Sequence, residues 1–531
     1  MSESENGVTA SQNENKRSVE EEYEKRRETI ASIDHGIALN ASGHKDQLKR
    51  HFNILHLCGL ALTIDNAWIA LGGSITISIF NGGPPGILYE LLTAGFYYAF
   101  IGASIAELAS AIPSAGGVYH WASVAGGPRF GRILGFFTGF VNFAGWIFDL
   151  ASIVQIVSNA SVQMYAVFHP DLVIHPWHVF VAFVLITWSA CAFVIFCNRF
   201  MPTLQHVGTF LVIAGGLVTI IVVAAMPKTH ASNAFVWKDF DNQTGWSGGV
   251  AFLTGVLNGA FTIGTPDAIT HMAEELPRPK RDLPKGIFVQ VGLGVLVAFL
   301  YGITISYAIS DLDAVLSWPG SFPLAAIYNQ ATGDKGGTFG LLFIVFLSLL
   351  VCTISTLLMV SRIWWALARD NATPFPHIFS YVHETLSCPI SATLLCGTMS
   401  WLFSVLCTGL GAIALGSKTA FQDLAGSFII LSTTSYALAI APHLLSGRKN
   451  IPPGPFWMGK AGFLVNGLTV LFIVFFNIFF CFPYVLPVTV QAMNYNSVIL
   501  VGVITLTGIW WLAWGLKMYP GPKIATIYGE H

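Results

Sequence analysis

Apolar runs of roughly 20 residues, the length a helix needs to cross a hydrocarbon core about 30 Å thick, recur from Ile54 to the C-terminus with little between them. That pattern dictates folding in lipid. Where no water is present every backbone N–H and C=O must be bonded inside the protein, so only helices or closed barrels can span. Barrel strands alternate in polarity, whereas these runs are continuous and rich in Leu, Ile, Phe and Gly. Charged residues make up 10% of the 531-residue chain, against about 25% in an ordinary soluble protein. The expected class is an all-α polytopic membrane protein.

Twelve helices are predicted, at 53–80, 84–110, 129–165, 175–197, 201–226, 248–273, 284–310, 336–367, 389–409, 419–445, 460–485 and 495–518. With both termini cytoplasmic, only Lys228, Lys238, Lys335 and Lys418 of the 26 Lys and Arg fall outside. Basic residues stay on the cytoplasmic side, so the bias sets the orientation and requires an even helix count. Residues 1–52 read as a polar, disordered cytoplasmic tail without the apolar stretch of a signal peptide, and its lysines suit ubiquitin-dependent regulation. Residues 53–445 form a ten-helix core, 446–518 add helices 11 and 12, and 519–531 are a second tail. The plasma membrane is the expected location. The sequon at Asn242 falls in an outside loop, where glycosylation is expected to be possible.

The eight cysteines show no metal-ligand spacing, and no metal, cofactor or disulfide framework is expected. No nucleic-acid surface is evident. The chain contains no Gly-x-x-x-x-Gly-Lys-Ser/Thr phosphate loop, so ATP is not expected to drive it. No nucleophile–base cluster marks a membrane enzyme.

Two helices are interrupted, in matching positions. The first reads LCGLALTIDNAWIALGGSITISIF, with Asp65 and Asn66 at its middle; the sixth ends in TIGTPDAITHMAEEL, Thr262 to Leu276. Gly264 and Pro266 weaken the helical ladder through backbone freedom and a missing N–H. The freed peptide groups are tolerated where they line a cavity or ligand, or where neighbouring helices satisfy a proline kink. Paired breaks in corresponding positions of two halves point to a transporter with inverted repeats, helices 1–5 and 6–10.

Three acids lie inside the spans: Asp65, Asp149 in NFAGWIFDLAS, and Asp267. Such residues are costly in lipid and should face the interior. No Lys or Arg lies deep in a helix to neutralise them, which favours a cationic ligand, a proton, or both. Asp267 is expected to cap the second half-helix, where an acid suits the N-terminal end. Asp65 is expected to be the principal anion of the substrate site, with Asn66, Trp68, Trp146, Phe261, Thr262 and Gly264 around it; aromatic faces attract ammonium groups by about 0.5–2 kcal/mol each. Asp149 and Asp267 are candidates for coupling. His271 reads as a packing histidine, and Glu107, Arg278 and Arg369 as gate or anchoring charges at cytoplasmic helix ends.

The run AITHMAEELPRPKRDLPKGI after the helix 6 break resembles a segment of the amino acid–polyamine–organocation transporter superfamily. AELASAIPSAGGVYHW, Ala106 to Trp121, is similar to that superfamily's helix 2–3 signature, and SRIWWALARDNATP, Ser361 to Pro374, to its helix 8 ending. NGGPPG and the long polar tail look most like its fungal amino acid/choline branch, although that branch usually has a small or neutral residue where Asp65 stands. The resemblance implies discontinuous helices 1 and 6, alternating access, a choline-like or γ-aminobutyrate-like substrate, and a gating role for Phe261; proton coupling through Asp65 or Asp149 is expected. Export of an alkaloid-type amine and a nutrient receptor are the alternatives it leaves open.

Overall fold

The computed structural model describes residues 53–320, 322–412, 420–490 and 493–524. The expected tail at 1–52, and with it the ubiquitin expectation, lies outside them, as do residues 525–531. The described chain is helical, with one isolated bridge between His383 and Cys388. Among the described residues ten helices are long and apolar enough to cross a membrane, and two shorter apolar ones, Gly248–Thr262 and Ile390–Leu402, stand where helices 6 and 9 were expected.

Helix 1 starts on a reciprocal cap. The Asn53 side chain accepts from the His56 N–H at 2.9 Å while His56 Nδ1 accepts from the Asn53 N–H at 3.2 Å. It runs Ile54–Asp65, breaks at Asn66 and resumes over Ala67–Gly73. The following segment, Thr76–Ala111, contains Gly83 at φ 61°, ψ −154°, a conformation that excludes a Cβ, and this residue divides helix 1 from helix 2. Pro84 and Pro85 then open helix 2, where a missing N–H costs nothing.

Helix 3, Gly127–Ala166, is the most enclosed span, 89% buried in its apolar window against 17% for helix 12, Asn496–Met518. It packs on helix 8, Lys335–Arg369, and on helix 10, Ala420–Leu445. Helix 4 is Pro176–Phe196, and helix 5, Met201–Phe210 continuing to Ala225, carries a π-turn at Leu211–Gly215. Helix 6 is helical over Gly248–Thr262, loses its ladder at 263–267, and continues as a 3-10 segment, Ala268–Glu275. Helix 7 is Pro279–Ala308.

Short helices occupy stretches expected to be loops: Val118–Ala125, Asn233–Trp237, Leu312–Leu316 and Pro323–Thr332. Helix 11, Ala461–Phe479, stops before its predicted end at 485, because Pro483 and Pro487 follow and the residue before a proline avoids the α conformation.

Candidate functional site

The two breaks meet. Asn66 sits in the left-handed region at φ 38°, ψ 46°, which Asn tolerates better than most residues. Thr265, in the helix 6 break, donates its hydroxyl to Asp65 Oδ1 at 2.9 Å. Gln290 of helix 7 donates to Thr265 O and Oγ1 at 2.7 and 2.6 Å. The discontinuities are thus tied into one polar centre by an amide from a third helix.

Asp65 faces helix 7. A Cβ added to Gly294 would stand 2.6 Å from Asp65 Oδ2, an oxygen that is buried without a hydrogen-bond partner. A cavity of about 280 Å³ adjoins it between helices 1, 5 and 7, lined almost wholly by apolar side chains including Leu62, Val212 and Leu217. Ile213 and Leu217 on its rim are more than half exposed on the outer face of the bundle. Trp68 points the same way: its indole N–H donates to Val212 O at 3.0 Å, and its ring packs edge-on against Tyr301 at 5.3 Å. Gly216 admits that ring, since a Cβ there would lie 3.0 Å from Trp68 Nε1. The Val212 carbonyl that receives the indole lies in the π-turn and also accepts the Gly216 N–H.

On the opposite side of the breaks, helix 3 presents Asn142, Trp146 and Asp149 at helical spacing. Asp267 collects this face. Its Oδ2 accepts from Asn142 Nδ2 at 3.0 Å and Trp146 Nε1 at 3.2 Å, and its Oδ1 from Tyr436 OH of helix 10 at 2.5 Å. His271 Nε2 stands 3.3 Å from the same Oδ2. Asp267 makes no side-chain cap to its own half-helix, so its carboxylate serves interhelical bonding. Asp149 is buried, and its Oδ2 has no hydrogen-bond partner among the described residues. Asp149 lies within Coulombic reach of both Asp65 and Asp267.

Phe261 packs edge-on against Phe421 and Phe428 of helix 10 at 6.1 and 6.2 Å, and Phe428 also meets Trp146 at 5.4 Å. Thr262 returns its hydroxyl to Asn258 O at 2.8 Å. Gly264 is needed for closeness: a Cβ there would lie 2.7 Å from Ala260 O. The structure therefore gathers Trp146, Asp149, Phe261 and Asp267 on the helix 3–10 side of the breaks and turns Asp65 and Trp68 to helices 5 and 7.

At the arginine-rich end, Arg369 grips Glu274 with two bonds of 2.9 and 2.8 Å, and Arg362 reaches Glu275 at 3.3 Å. Glu107 is held by Arg448, by the Met458 N–H at 3.0 Å and by Asn466 at 3.3 Å. Arg278 is largely exposed and lies 3.8 Å from Asp282. His120 Nε2 and Tyr119 OH both bond Asp370, at 3.0 and 3.1 Å. Asn242 is engaged locally, donating to Trp246 O at 2.6 Å and accepting from the Thr244 hydroxyl at 2.7 Å.

Sequence reasoning passed over Asn142, Tyr436, Gln290 and Arg362. For Asn142 a signal existed, one turn before Trp146 on the face that carries Asp149. It also passed over Glu90 of helix 2, whose two carboxylate oxygens are buried without hydrogen-bond partners against the bare Cα of Gly255.

The amino acid permease profile matches residues 53–504. The chain belongs to the amino acid permease family. The permease is 33% identical to the choline transporter of Saccharomyces cerevisiae over 94% of its own length and 87% of that relative's. It is 27% identical to the amino-acid permease BAT1 of Arabidopsis thaliana, covering 93% and 97% of the two chains. It is 29% identical to the swainsonine transporter swnT of Arthroderma benhamiae, covering 88% and 91%. The superfamily resemblance of its three motifs is thereby borne out, and the permease is a membrane transporter rather than an enzyme.

Proposed function

We propose that the permease imports a small amine, with a choline-like quaternary ammonium as the leading substrate, by alternating access around the paired breaks. The observation that carries this reading is the buried, unpartnered Oδ2 of Asp149, one turn along helix 3 from Trp146. A charge in that position is expensive in the membrane, and a substrate cation supplies the missing partner. Trp146, Phe261 and Phe428 add aromatic surface to the same side of the breaks, and cation–π attraction strengthens as water is excluded. Similarity to a relative named as a choline transporter supports the same class. Asp65, with Thr265 as its donor and helix 7 at its back, is assigned to holding the breaks together.

The same proposal takes helices 1–5 and 6–10 as inverted repeats, the arginine-rich end as cytoplasmic, the plasma membrane as the location and a proton as the coupling ion; the lysines of the tail at 1–52 are assigned to turnover. Radiolabelled uptake of an amine panel, in a host lacking its own permeases, tests it. Choline uptake is expected to saturate, and Asp149→Asn to weaken its apparent affinity at least about tenfold, equivalent to about 1.4 kcal/mol. Asp65→Asn should weaken it less than about threefold at equal surface expression. The reverse order returns the substrate anion to Asp65. Flux of an alkaloid amine outward only, with no choline uptake, replaces import by the efflux reading.

A further inference from the structure

His271 is fully buried beside the site, and its two ring nitrogens face different partners. Nδ1 lies 2.9 Å from the backbone oxygen of Ala115, and Nε2 lies 3.3 Å from Asp267 Oδ2. A carbonyl oxygen can only accept, so Nδ1 carries a hydrogen. Nε2 then has two choices. Either it is protonated as well and the imidazolium faces a carboxylate, or it is a bare acceptor and Asp267 carries the proton. Both arrangements place one mobile proton between the two side chains. Without it, an imidazole lone pair would point at a carboxylate oxygen.

The surroundings are built around this pair. Gly117, at φ +49°, leaves the space the ring occupies: a Cβ there would lie 2.9 Å from His271 Cε1 and 3.0 Å from Thr270 Oγ1. The other three bonds to Asp267 come from Asn142, Trp146 and Tyr436, groups that donate without titrating near neutral pH. Other titratable and charged groups lie on the elements packed around the pair. Helix 10 contributes Tyr436, and helix 2 Tyr98, within Coulombic reach of both Asp267 and Asp65. Helix 1 contributes Asp65 and helix 3 Asp149. On helix 8, Arg362 and Arg369 are committed to Glu275 and Glu274. Helix 7 brings Asp282, beside Arg278. The helix 2–3 connection brings Tyr119 and His120, both bonded to Asp370.

We propose that His271 and Asp267 together form the proton-binding site of the permease, holding one proton in the closed state and releasing it when the arginine-rich end opens. This rests on the transport reading above and deepens it by naming the coupling residues. With the proton in place, an unbroken chain runs from the substrate-side groups Asn142, Trp146 and Tyr436 through Asp267 and His271 to Ala115, in the connection whose next turn carries the Tyr119 and His120 bonds to Asp370. Loss of the proton breaks that chain at Nε2 and sets like electron density face to face. The closed, occluded arrangement therefore needs the proton, and substrate and proton travel together.

Purified permease in liposomes, with radiolabelled choline and a trapped pH dye, tests this. Choline carries a fixed charge and no proton titrating near neutral pH, so every proton counted belongs to the protein. The wild type is expected to concentrate choline when the outside is acidic, and to acidify the lumen as it does so. Choline counterflow, an exchange without net proton movement, provides the second readout. In His271→Gln the ratio of proton-driven accumulation to counterflow is expected to fall at least about tenfold, and in Asp267→Asn the same, because neither side chain can hold the proton. Accumulation and lumen acidification that persist in either folded variant overturn the proposal. So does a wild type that concentrates choline without moving protons, an outcome that needs no variant and leaves amine import by alternating access intact. Absence of flux for every amine in the panel fails the transport reading itself, and this assignment with it.

Discussion

At the scale of single residues, Asn66 shows how little must change to interrupt a helix. Its N–H still donates to Leu62 O at 2.9 Å, and its own carbonyl accepts from Ile69 and Ala70 at 3.0 Å each. The ladder is broken over one left-handed residue while most of its bonds survive. Both polar atoms of the Asn66 side chain are buried without hydrogen-bond partners, so the residue has a conformational role and a polar one that can be separated. Asn66→Ala should lose less than the about 1–2 kcal/mol that the left-handed region costs a residue with a Cβ, because Asn carries a Cβ too and only tolerates the region better, read as a slightly lower unfolding temperature in detergent. Asn66→Gly should keep the unfolding temperature near that of the wild type while reducing choline affinity. An alanine variant as stable as the wild type removes the strain argument. The break and the buried acids were legible from Asp, Asn, Gly and Pro inside apolar runs. Which way Asp65 and Trp68 point was not, because a helix buried on every side has no polar face from which to read direction.

At the scale of elements, the second half of helix 1 and the first half of helix 6 are joined by a polar ladder. Ser74 donates to Asn258 Oδ1 at 2.5 Å, Asn258 donates to Ser78 Oγ at 2.9 Å, and Asn81 donates to Thr254 Oγ1 and Ala251 O at 2.8 and 2.9 Å. The spacing, 74, 78 and 81 against 251, 254 and 258, keeps all six on facing stripes. In lipid the apolar effect does not hold helices together, and packing with interhelical hydrogen bonds does so instead. The two segments should therefore move as one unit when the site opens. Asn258→Leu is expected to cost about 1–3 kcal/mol, since it leaves buried hydroxyls without their partner. A double-mutant cycle with Ser78→Ala, followed by thermal unfolding, should return a positive coupling energy; strict additivity would mean the two side chains act independently.

Across the whole molecule, the arginine-rich end is fastened by contacts between segments far apart in the chain. Glu274 and Glu275 bind helix 8 through Arg369 and Arg362, Tyr119 meets Tyr519 at 2.9 Å, and Glu107 takes Arg448. Arg369 also lies over the Trp365 ring, 4.3 Å from its centre. Removing one member of such a buried pair leaves its partner uncompensated, at about 3–5 kcal/mol. Arg369→Ala should therefore shift the population towards a state open at this end. With the other cysteines replaced, a thiol reagent should label buried Cys352, whose Sγ lies 3.3 Å from Ile64 O, at least about tenfold faster than in the otherwise identical parent. Adding Glu274→Ala should reverse much of that gain; equal labelling rates in all three proteins would show that the pair does not hold the end shut.

Several properties of the permease follow from its sequence alone. Apolar runs of spanning length oblige helices in a membrane, Gly, Pro and Asn mark where those helices break, and acids within the spans must face the interior. Each of these is a local property, expressed by neighbours along the chain. Partner choice is different. That Asp267 gathers Asn142, Trp146, Tyr436 and His271, that Glu107 takes Arg448, and that Trp68 enters the wall of helix 5 depend on how each helix is rotated about its axis and which neighbours it meets. Rotation is decided by packing among residues hundreds of positions apart, through small glycine gaps and single hydrogen bonds. Only the tertiary structure settles that, because in an almost uniformly apolar span every face satisfies the membrane equally well.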